Sequence, residues 1–322
     1  MTLTSLRGIL VGHATNRAAA TGCTVILFEQ GAVAGYDVGG AATGTREVDA
    51  CSPGHLVERI HGLVLAGGSA FGLEAASGVM RHLERRNVGF DTGTARVPIV
   101  PSAILYDLGI GDSRVRPDAA MGARAARAAS SRPVRSGCVG AGTGATVGKL
   151  FGIGRAVKSG VGNAALKMPA SAGGCTVAAL AAVNAFGDVR SPTGEILAGA
   201  RRPGLAAGFA DTAACMERGI LRPGSRSTNT TLVVVATDAL LNRTDASRVA
   251  GICQDGLARC VSPAHTRYDG DIVFVVSVGS RRVDADCLAV AACRAVGMAV
   301  IDAVVSATSL AGVPALRDLD VG

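Results

Sequence analysis

A threonine at the junction between a polar loop and an apolar run is the first candidate for chemistry. Residues 199–228 are rich in arginine, proline, glycine and serine, and Asn229-Thr230 separates them from the apolar run TLVVVAT at 231–237. A threonine hydroxyl attacks an amide only when a base stands beside it. Cutting the bond between Asn229 and Thr230 would create that base, an α-amine with a pKa of about 7.7 to 8.0. An exposed loop that enters the core gives the same pattern.

Two carboxylates at spacing two stand ahead of another apolar run. Asp269-Gly270-Asp271 directly precedes IVFVVSV at 272–278. Residues i and i+2 of an extended chain face the same side, so both acids are expected to point into one place. Gly270 lets another backbone approach closely. Such a pair can hold a nucleophile's hydroxyl and orient a protonated amine, whereas a charged turn or a cation site remains the alternative.

Two glycine-rich motifs imitate phosphate-binding loops without matching them. The run at 139–149 ends in Lys149, but Leu150 follows where a Walker loop requires Ser or Thr. GGSAFG at 67–72 lacks the dinucleotide spacing. We expect tight strand-to-helix packing there, or a carboxylate bound at the start of the helix.

The elements that must hold these residues in place show both strand and helix periods. Cys23–Glu29 and Ala32–Val38 are predicted to form a hairpin that turns at Gln30-Gly31. The other predicted strands are 62–66, 231–237 and 272–278; the predicted helices begin at Phe71 and span 118–130 and 284–306; residues 176–185 fit both periods. This mixture indicates layered α/β or α+β packing in one large or two fused domains.

Composition excludes several classes of protein. With 48% hydrophobic and 18% charged residues, the 322-residue chain is too apolar for a disordered polymer, and its 44 glycines exclude a coiled coil. The net charge is +7, but aromatic residues are few and the arginines look dispersed, so no nucleic acid partner is expected. Of the 32 basic residues only Lys149, Lys158 and Lys167 are lysine, by chance or because a site needs a compact ammonium.

Cysteine usage and hydropathy bear on compartment. The nine cysteines form no Cys-x-x-Cys pair, so we expect no structural metal and reduced, buried thiols. Charges and glycines interrupt every candidate for a membrane span. The first sixteen residues lack the features of an export signal, and a cytoplasmic location is therefore expected.

Several motifs together resemble one family. Asn229-Thr230-Thr231 followed by LVVVATDA, with the acid pair at 269–271, is similar to the S58 peptidases, also called the DmpA family of self-processing aminopeptidases and amidases. The similarity continues, in order, through GHAT at 12–15, GGSAFGLEAA at 67–76, VPSAILYDLG at 100–109, GAGTGATVGK at 140–149 and VNAFGDV at 183–189. Thr with Asn before it most resembles the nylon-oligomer hydrolase branch.

The resemblance implies a fold and a maturation route. It implies a four-layer αββα sandwich of the N-terminal-nucleophile hydrolase type, formed by one self-processing domain over 1–322. Cleavage between Asn229 and Thr230 would give fragments 1–229 and 230–322. The resemblance further implies a small peptide or amide substrate, no cofactor or metal, and a homo-oligomer, a tetramer of processed protomers.

The same resemblance assigns roles to individual residues. Thr230 matches the nucleophile, and Asp269 and Asp271 match the carboxylates that orient it and its amine. Asn184 matches the oxyanion donor, and Tyr106 matches a pocket residue. Lys149 matches the site lysine, with Lys158 as the alternative. Asp91, Asp107 and Asp112 are candidates for an acidic group that binds a substrate ammonium only because they lie near Tyr106 in sequence, and surface solubility is the alternative explanation for them. Two other functions stay open, an acyltransferase with the same nucleophile and a non-catalytic metabolite- or nucleotide-binding protein.

Overall fold

The computed structural model describes residues 1–204, 208–220 and 229–320. Within them the strands are, in chain order, β1 (Leu10–Asn16), β2 (Thr21–Val38), β3 (Gly44–Arg46), β4 (Ile60–Ala66), β5 (Phe90–Asp91), β6 (Arg96–Val97), β7 (Ser102–Ile104), β8 (Thr146–Val147), β9 (Val157–Lys158), β10 (Val161–Lys167), β11 (Thr176–Asn184), β12 (Asp188–Arg190), β13 (Ile196–Ala198), β14 (Ala200–Arg201), β15 (Phe209–Ala210), β16 (Thr230–Ala239), β17 (Val261–Ser262) and β18 (Ile272–Arg281). The α-helices are α1 (Ala75–Glu84), α2 (Ala119–Ala128), α3 (Thr212–Glu217), α4 (Arg243–Ala258) and α5 (Ala285–Val305).

The long strands are joined by hydrogen bonds in the order β10-β11-β16-β18-β2-β4-β7-β3, with β1 added on β2. Alternate residues of these strands face two different cores because successive side chains point to opposite faces. In β11, Val177, Ala179, Ala181 and Val183 pack toward α4 and α5, whereas Ala178, Leu180 and Ala182 pack toward the half of the sheet that contains β4. In that half, Val64 and Ala66 of β4 face α1 and α2. The layers are therefore α1/α2, β, β and α4/α5, which confirms the predicted αββα sandwich.

Strand β2 joins the two β layers, and here the predicted hairpin is wrong. Residues 23–27 pair with β4, and residues 33–38 pair with β18. Gly31 has φ +72°, and the register with β4 shifts between Leu27 and Ala32. The glycine that suggests a turn therefore makes an irregularity inside one 18-residue strand, which passes from one layer to the other.

The helix predicted from Phe71 begins as the 3₁₀ helix Ser69–Glu74 and becomes α1 at Ala75, and helices α3 and α4 were not predicted. The other predicted elements agree with the structure. Strands occupy 60–66, 230–239 and 272–281; residues 176–184 are a strand; and Asp118 and Asp284 cap the helices predicted over 118–130 and 284–306. Helix α4 was missed, although Ala246, Val249, Ala250, Cys253 and Leu257 follow the helix period and face the core.

Helix α5 is long and apolar enough to cross a membrane by length and composition, the one such helix among the described residues. Arg294 and Asp302 interrupt its apolar character, as the sequence indicated. The helix packs against the β layer formed by β10 and β11, and 61% of its most apolar window is buried inside the fold. A core helix passes the same test of composition.

Candidate active site

Three strand ends bring the predicted site residues to one edge of the sheet. Asn184 is the last residue of β11, and it lies directly opposite Thr230, the first residue of β16, in the antiparallel register. Strand β18 runs parallel to β16, so the acid pair that precedes it arrives at the same edge. Asn229 also forms a bridge with Asp269 just before the two strands begin.

The peptide bond between Asn229 and Thr230 is buried and held on both sides. The Asn229 N–H donates to the Tyr268 carbonyl at 2.6 Å, and the Asn229 carbonyl accepts from the Gly270 N–H at 2.7 Å. The Thr230 hydroxyl, which is 1% exposed, donates to the same Asn229 carbonyl. A Cβ on Gly270 would lie 2.9 Å from Thr230 Oγ1 and 2.6 Å from the carbonyl oxygen of Ala42. The glycine between the acids thus allows both backbones to approach, as the sequence predicts.

The two acids of the pair accept hydrogen bonds from different segments of the site. The Asp271 Oδ1 accepts from the Thr231 N–H at 2.6 Å, and the Asp269 Oδ1 accepts from the Phe186 N–H at 3.1 Å. Burial, and then the charge of Asp271, raise the pKa of Asp269 to about 6. In the continuous chain the Thr230 hydroxyl itself is directed to the carbonyl before it rather than to the carboxylates.

Asn184 is the centre of a second network. Its Oδ1 accepts from Lys149 Nζ at 2.7 Å and from the Thr146 N–H at 3.1 Å, while its Nδ2 donates to the Tyr106 carbonyl at 2.9 Å. Lys149 Nζ also donates to the Asn184 carbonyl at 2.9 Å. Because one N–H of Nδ2 is used by Tyr106, the amide keeps one further N–H. Burial, partly offset by Asp269, lowers the pKa of Lys149 to about 7.

The structure separates the two candidate lysines. Lys158 Nζ is buried among backbone carbonyls, at 2.6 Å from that of Ala145 and 2.7 Å from that of Ser159. Its bonds to the carbonyls of Gly142 and Ala145 hold the glycine-rich run at 139–149 in place. Burial lowers its pKa to about 8. Lys149, and not Lys158, contacts Asn184.

The second glycine motif binds a carboxylate of the chain itself. Asp107 Oδ1 accepts from the Gly68 N–H at 2.7 Å, at the start of the 3₁₀ helix Ser69–Glu74, and Oδ2 accepts from Thr21 Oγ1 at 2.7 Å. A Cβ on Gly67 would lie 2.0 Å from Asp107 Oδ2, so the motif needs glycine for this approach. Burial raises the pKa of Asp107 to about 6.

The three acids proposed for a substrate ammonium lie in different surroundings. Asp91 and Asp112 are exposed and form ion pairs with Arg96 at 3.2 Å and Arg114 at 3.0 Å, respectively. Asp107 is buried and lines a cavity of about 30 Å³ together with Tyr106, Thr146 and Lys149. A space of this size holds about one water molecule. This cavity is therefore too small for a peptide, and Thr230 itself is 1% exposed.

Two residues of the site were missed in the sequence. His265 Nδ1 lies 3.0 Å from Asp271 Oδ2, and this hydrogen bond raises the pKa of the histidine. Thr266 donates its hydroxyl to Asp269 Oδ2 at 2.5 Å. Both lie on the turn ahead of the acid pair, and their closeness in sequence was the available signal. The sequence also predicts that residues 224–229 form a strained turn that presents the Asn229 carbonyl, and residues 224–228 of that prediction lie outside the described residues.

Comparisons with known proteins agree with this architecture. The chain superimposes over 98% of its length on a β-aminopeptidase of Burkholderia sp. (TM-score 0.68, 23% identity, 90% of that chain). It superimposes over 97% of its length on the L-aminopeptidase D-Ala-esterase/amidase of Ochrobactrum anthropi (TM-score 0.73, 20% identity, 88% of that chain). The second is described as a variant of the Ntn hydrolase fold. The chain thus has the N-terminal-nucleophile hydrolase fold.

The sequence comparisons identify the family. The model of peptidase family S58 matches residues 2–316, and the chain belongs to this family. It is 37% identical to an uncharacterised aminopeptidase of Mycobacterium leprae, over 97% of this chain and 92% of the relative. It is 30% identical to a 6-aminohexanoate-oligomer endohydrolase of Kocuria sp., over 84% of this chain and 73% of the relative. The protein is a hydrolase of amide bonds, and the predicted family and enzyme class are confirmed.

Proposed function

We propose that the chain is a precursor that cuts itself between Asn229 and Thr230, and that Thr230 then hydrolyses peptide or other amide bonds as an N-terminal nucleophile. The observation that carries the proposal is the contact of the Thr230 hydroxyl with the Asn229 carbonyl, which the Gly270 N–H already holds at 2.7 Å. Thr230 is 1% exposed in the continuous chain, so a substrate can reach its hydroxyl only after the chain end at Asn229 moves away.

Self-cleavage follows from this arrangement in two steps. Thr230 Oγ1 attacks the Asn229 carbonyl carbon, and the Gly270 N–H stabilises the negative charge on the carbonyl oxygen. The C–N bond then breaks, the proton of the hydroxyl passes to the nitrogen, and an ester joins Asn229 to the Thr230 oxygen. Water hydrolyses the ester, which leaves a carboxylate on Asn229 and a free amine on Thr230.

The freed residue can then act on a substrate. The Thr230 amine accepts the proton as Oγ1 attacks the substrate carbonyl, and it returns the proton to the leaving amine. We assign the second N–H of Asn184 Nδ2 to the oxyanion, and the bond from Lys149 to Oδ1 supports this by fixing the amide. Asp269 and Asp271 orient the amine of Thr230, and His265 holds Asp271. Water releases the acyl group from the enzyme.

The names of the relatives bear on the substrate. They include aminopeptidases and endohydrolases of 6-aminohexanoate oligomers, so small peptides and short amide oligomers are the first substrates to test. We further propose that the processed protein is a cytoplasmic homo-oligomer that needs no cofactor.

Intact-mass spectrometry of the purified protein tests the proposal. The wild type is expected to give two chains, 1–229 and 230–322, with threonine at the new N-terminus. Thr230→Ala should remain one chain and lose turnover by about 10⁴-fold or more, because both the nucleophile and the amine that activates it disappear. Thr230→Ser, which keeps a hydroxyl, is the matched control and should still process.

Two results would contradict the proposal. One is a Thr230→Ala protein that is cut at the same bond and hydrolyses amides normally. The other is a wild type that stays uncleaved yet turns over substrate.

A further inference from the structure

The arginines that look dispersed in the sequence converge between the first two helices. A groove of about 370 Å³ between α1 and α2 is lined by Arg81, His82, Arg85 and Arg86 from the α1 side and by Arg127 from α2. No acidic residue is among its lining residues in the described part of the chain. This groove lies in the outer helix layer on the β4 side of the sandwich, and the proposed mechanism makes no use of it.

Small residues create the groove. Helices α1 and α2 approach so closely that a Cβ on Gly78 would lie 1.8 Å from the Ala119 carbonyl oxygen. Ala119, Ala120 and Ala123 form one wall and leave room where larger side chains would fill it. The long arginine side chains therefore surround an open space instead of packing against a neighbour.

The positive charge of the groove is largely uncompensated. Arg86 pairs with Glu29 at 2.5 Å. Within the described residues, no ion pair or side-chain hydrogen bond involves Arg81, Arg85 or Arg127. Four arginines less one glutamate leave three positive charges at one place. Burial and the charges of Arg86, Arg127 and Arg85 also lower the pKa of His82, with Glu29 acting in the opposite sense.

We propose that this groove binds a small polyphosphate-bearing ligand. A guanidinium forms two parallel hydrogen bonds with phosphate oxygens, a geometry that the compact ammonium of lysine does not offer. Three neighbouring charges fit a chain of phosphates better than a single phosphate. The volume lies near the lower end of the range for small-molecule sites. The ligand is inorganic oligophosphate or the phosphate chain of a nucleotide.

Isothermal titration with sodium tripolyphosphate tests the groove in the full-length protein. Wild type should bind, and Arg85→Gln/Arg127→Gln should bind at least tenfold more weakly. Arg132→Gln/Arg282→Gln removes the same charge from two exposed arginines outside the groove and should bind like the wild type. All four side chains are exposed, so both variants are expected to fold, and a thermal melt checks this. Binding should weaken as ionic strength rises.

Further ligands identify the source of the phosphates. Equal affinity for tripolyphosphate and ATP would assign the site to the phosphate chain, and tighter ATP binding would assign it to a nucleoside triphosphate. The proposal is overturned if tripolyphosphate does not bind, or if both double variants lose affinity equally. It is also overturned if a single-stranded oligonucleotide binds through these arginines while tripolyphosphate fails to compete, since the groove would then serve a nucleic acid.

Discussion

Two buried, charged clusters lie side by side in this protein, and their hydrogen bonds connect different parts of the chain. In the cluster around Thr230, Lys149 binds Asn184, Asp271 binds the backbone of Thr231 and Asp269 binds that of Phe186. In the cluster around Asp107, the carboxylate and Lys158 bind the two glycine-rich loops. Tyr106 belongs to the cluster around Thr230, and the adjacent residue Asp107 belongs to the other cluster.

Perturbed pKa values do not distinguish the two clusters. Burial lowers the pKa of Lys149 to about 7 and that of Lys158 to about 8, and burial raises the pKa of both Asp269 and Asp107 to about 6. A shifted pKa therefore marks a buried charge and no more. The hydrogen-bond partners of a buried charge distinguish a candidate catalytic group from a structural one. Substitutions in each cluster can test this distinction.

The largest effect is expected at Asn184. Asn184→Ala removes the proposed oxyanion donor, and turnover of an amide substrate should fall by about 10² to 10³-fold. Thr21→Val, which removes a buried polar group from the other cluster, should leave turnover nearly unchanged. Steady-state kinetics on equal amounts of folded protein, checked by circular dichroism, make the comparison. Near-normal turnover in Asn184→Ala would remove this residue from the mechanism.

In the second cluster, Asp107 is expected to determine the stability of the fold, whereas Asn184 in the first cluster is expected to determine the rate of hydrolysis. Asp107→Ala leaves the Gly68 N–H and the Thr21 hydroxyl buried without their acceptor, at a cost of about 1 to 3 kcal/mol for each group. We expect the free energy of unfolding to fall by about 3 kcal/mol in urea denaturation. Asp107→Asn keeps one acceptor oxygen and should lose less. Equal stability of the alanine variant and the wild type would contradict the structural role.

The smallest effect concerns the pH dependence of the two lysines, measured in uncleaved Thr230→Ala protein. Each of these two lysines has a lowered pKa in the folded state. Between that pKa and 10.5, the lysine holds its proton in the unfolded state but not in the folded state. The free energy of unfolding therefore rises with pH in this range. From pH 7 to 9, the parent should gain about 2 kcal/mol relative to a Lys149→Met variant. Relative to Lys158→Met, the gain should be about 1 kcal/mol.

Urea denaturation at several pH values gives these differences directly. Each methionine variant removes one titrating lysine, so effects of other groups cancel in the comparison with the parent. The rise should begin about one pH unit lower for Lys149 than for Lys158. A constant difference across this range would show that the lysine titrates normally in the folded protein.

Much of the fold followed from local patterns in the sequence. The apolar runs at 231–237 and 272–278 are strands because β-branched side chains covered on both faces leave few alternatives. The hairpin prediction failed at Gly31, since a glycine with positive φ serves both a turn and an irregular strand, and only the pairing with β4 and β18 decides between them.

The sequence by itself determined the family, the strands at 231–237 and 272–278, and the candidate group formed by Thr230 and the acids at 269 and 271, because these are matters of local order and spacing. The tertiary structure decided which lysine meets Asn184, which carboxylate closes the GGSAFG motif, and that arginines of α1 and α2 share one groove. These contacts join residues far apart in the chain, where spacing carries no information and only packing brings the atoms together.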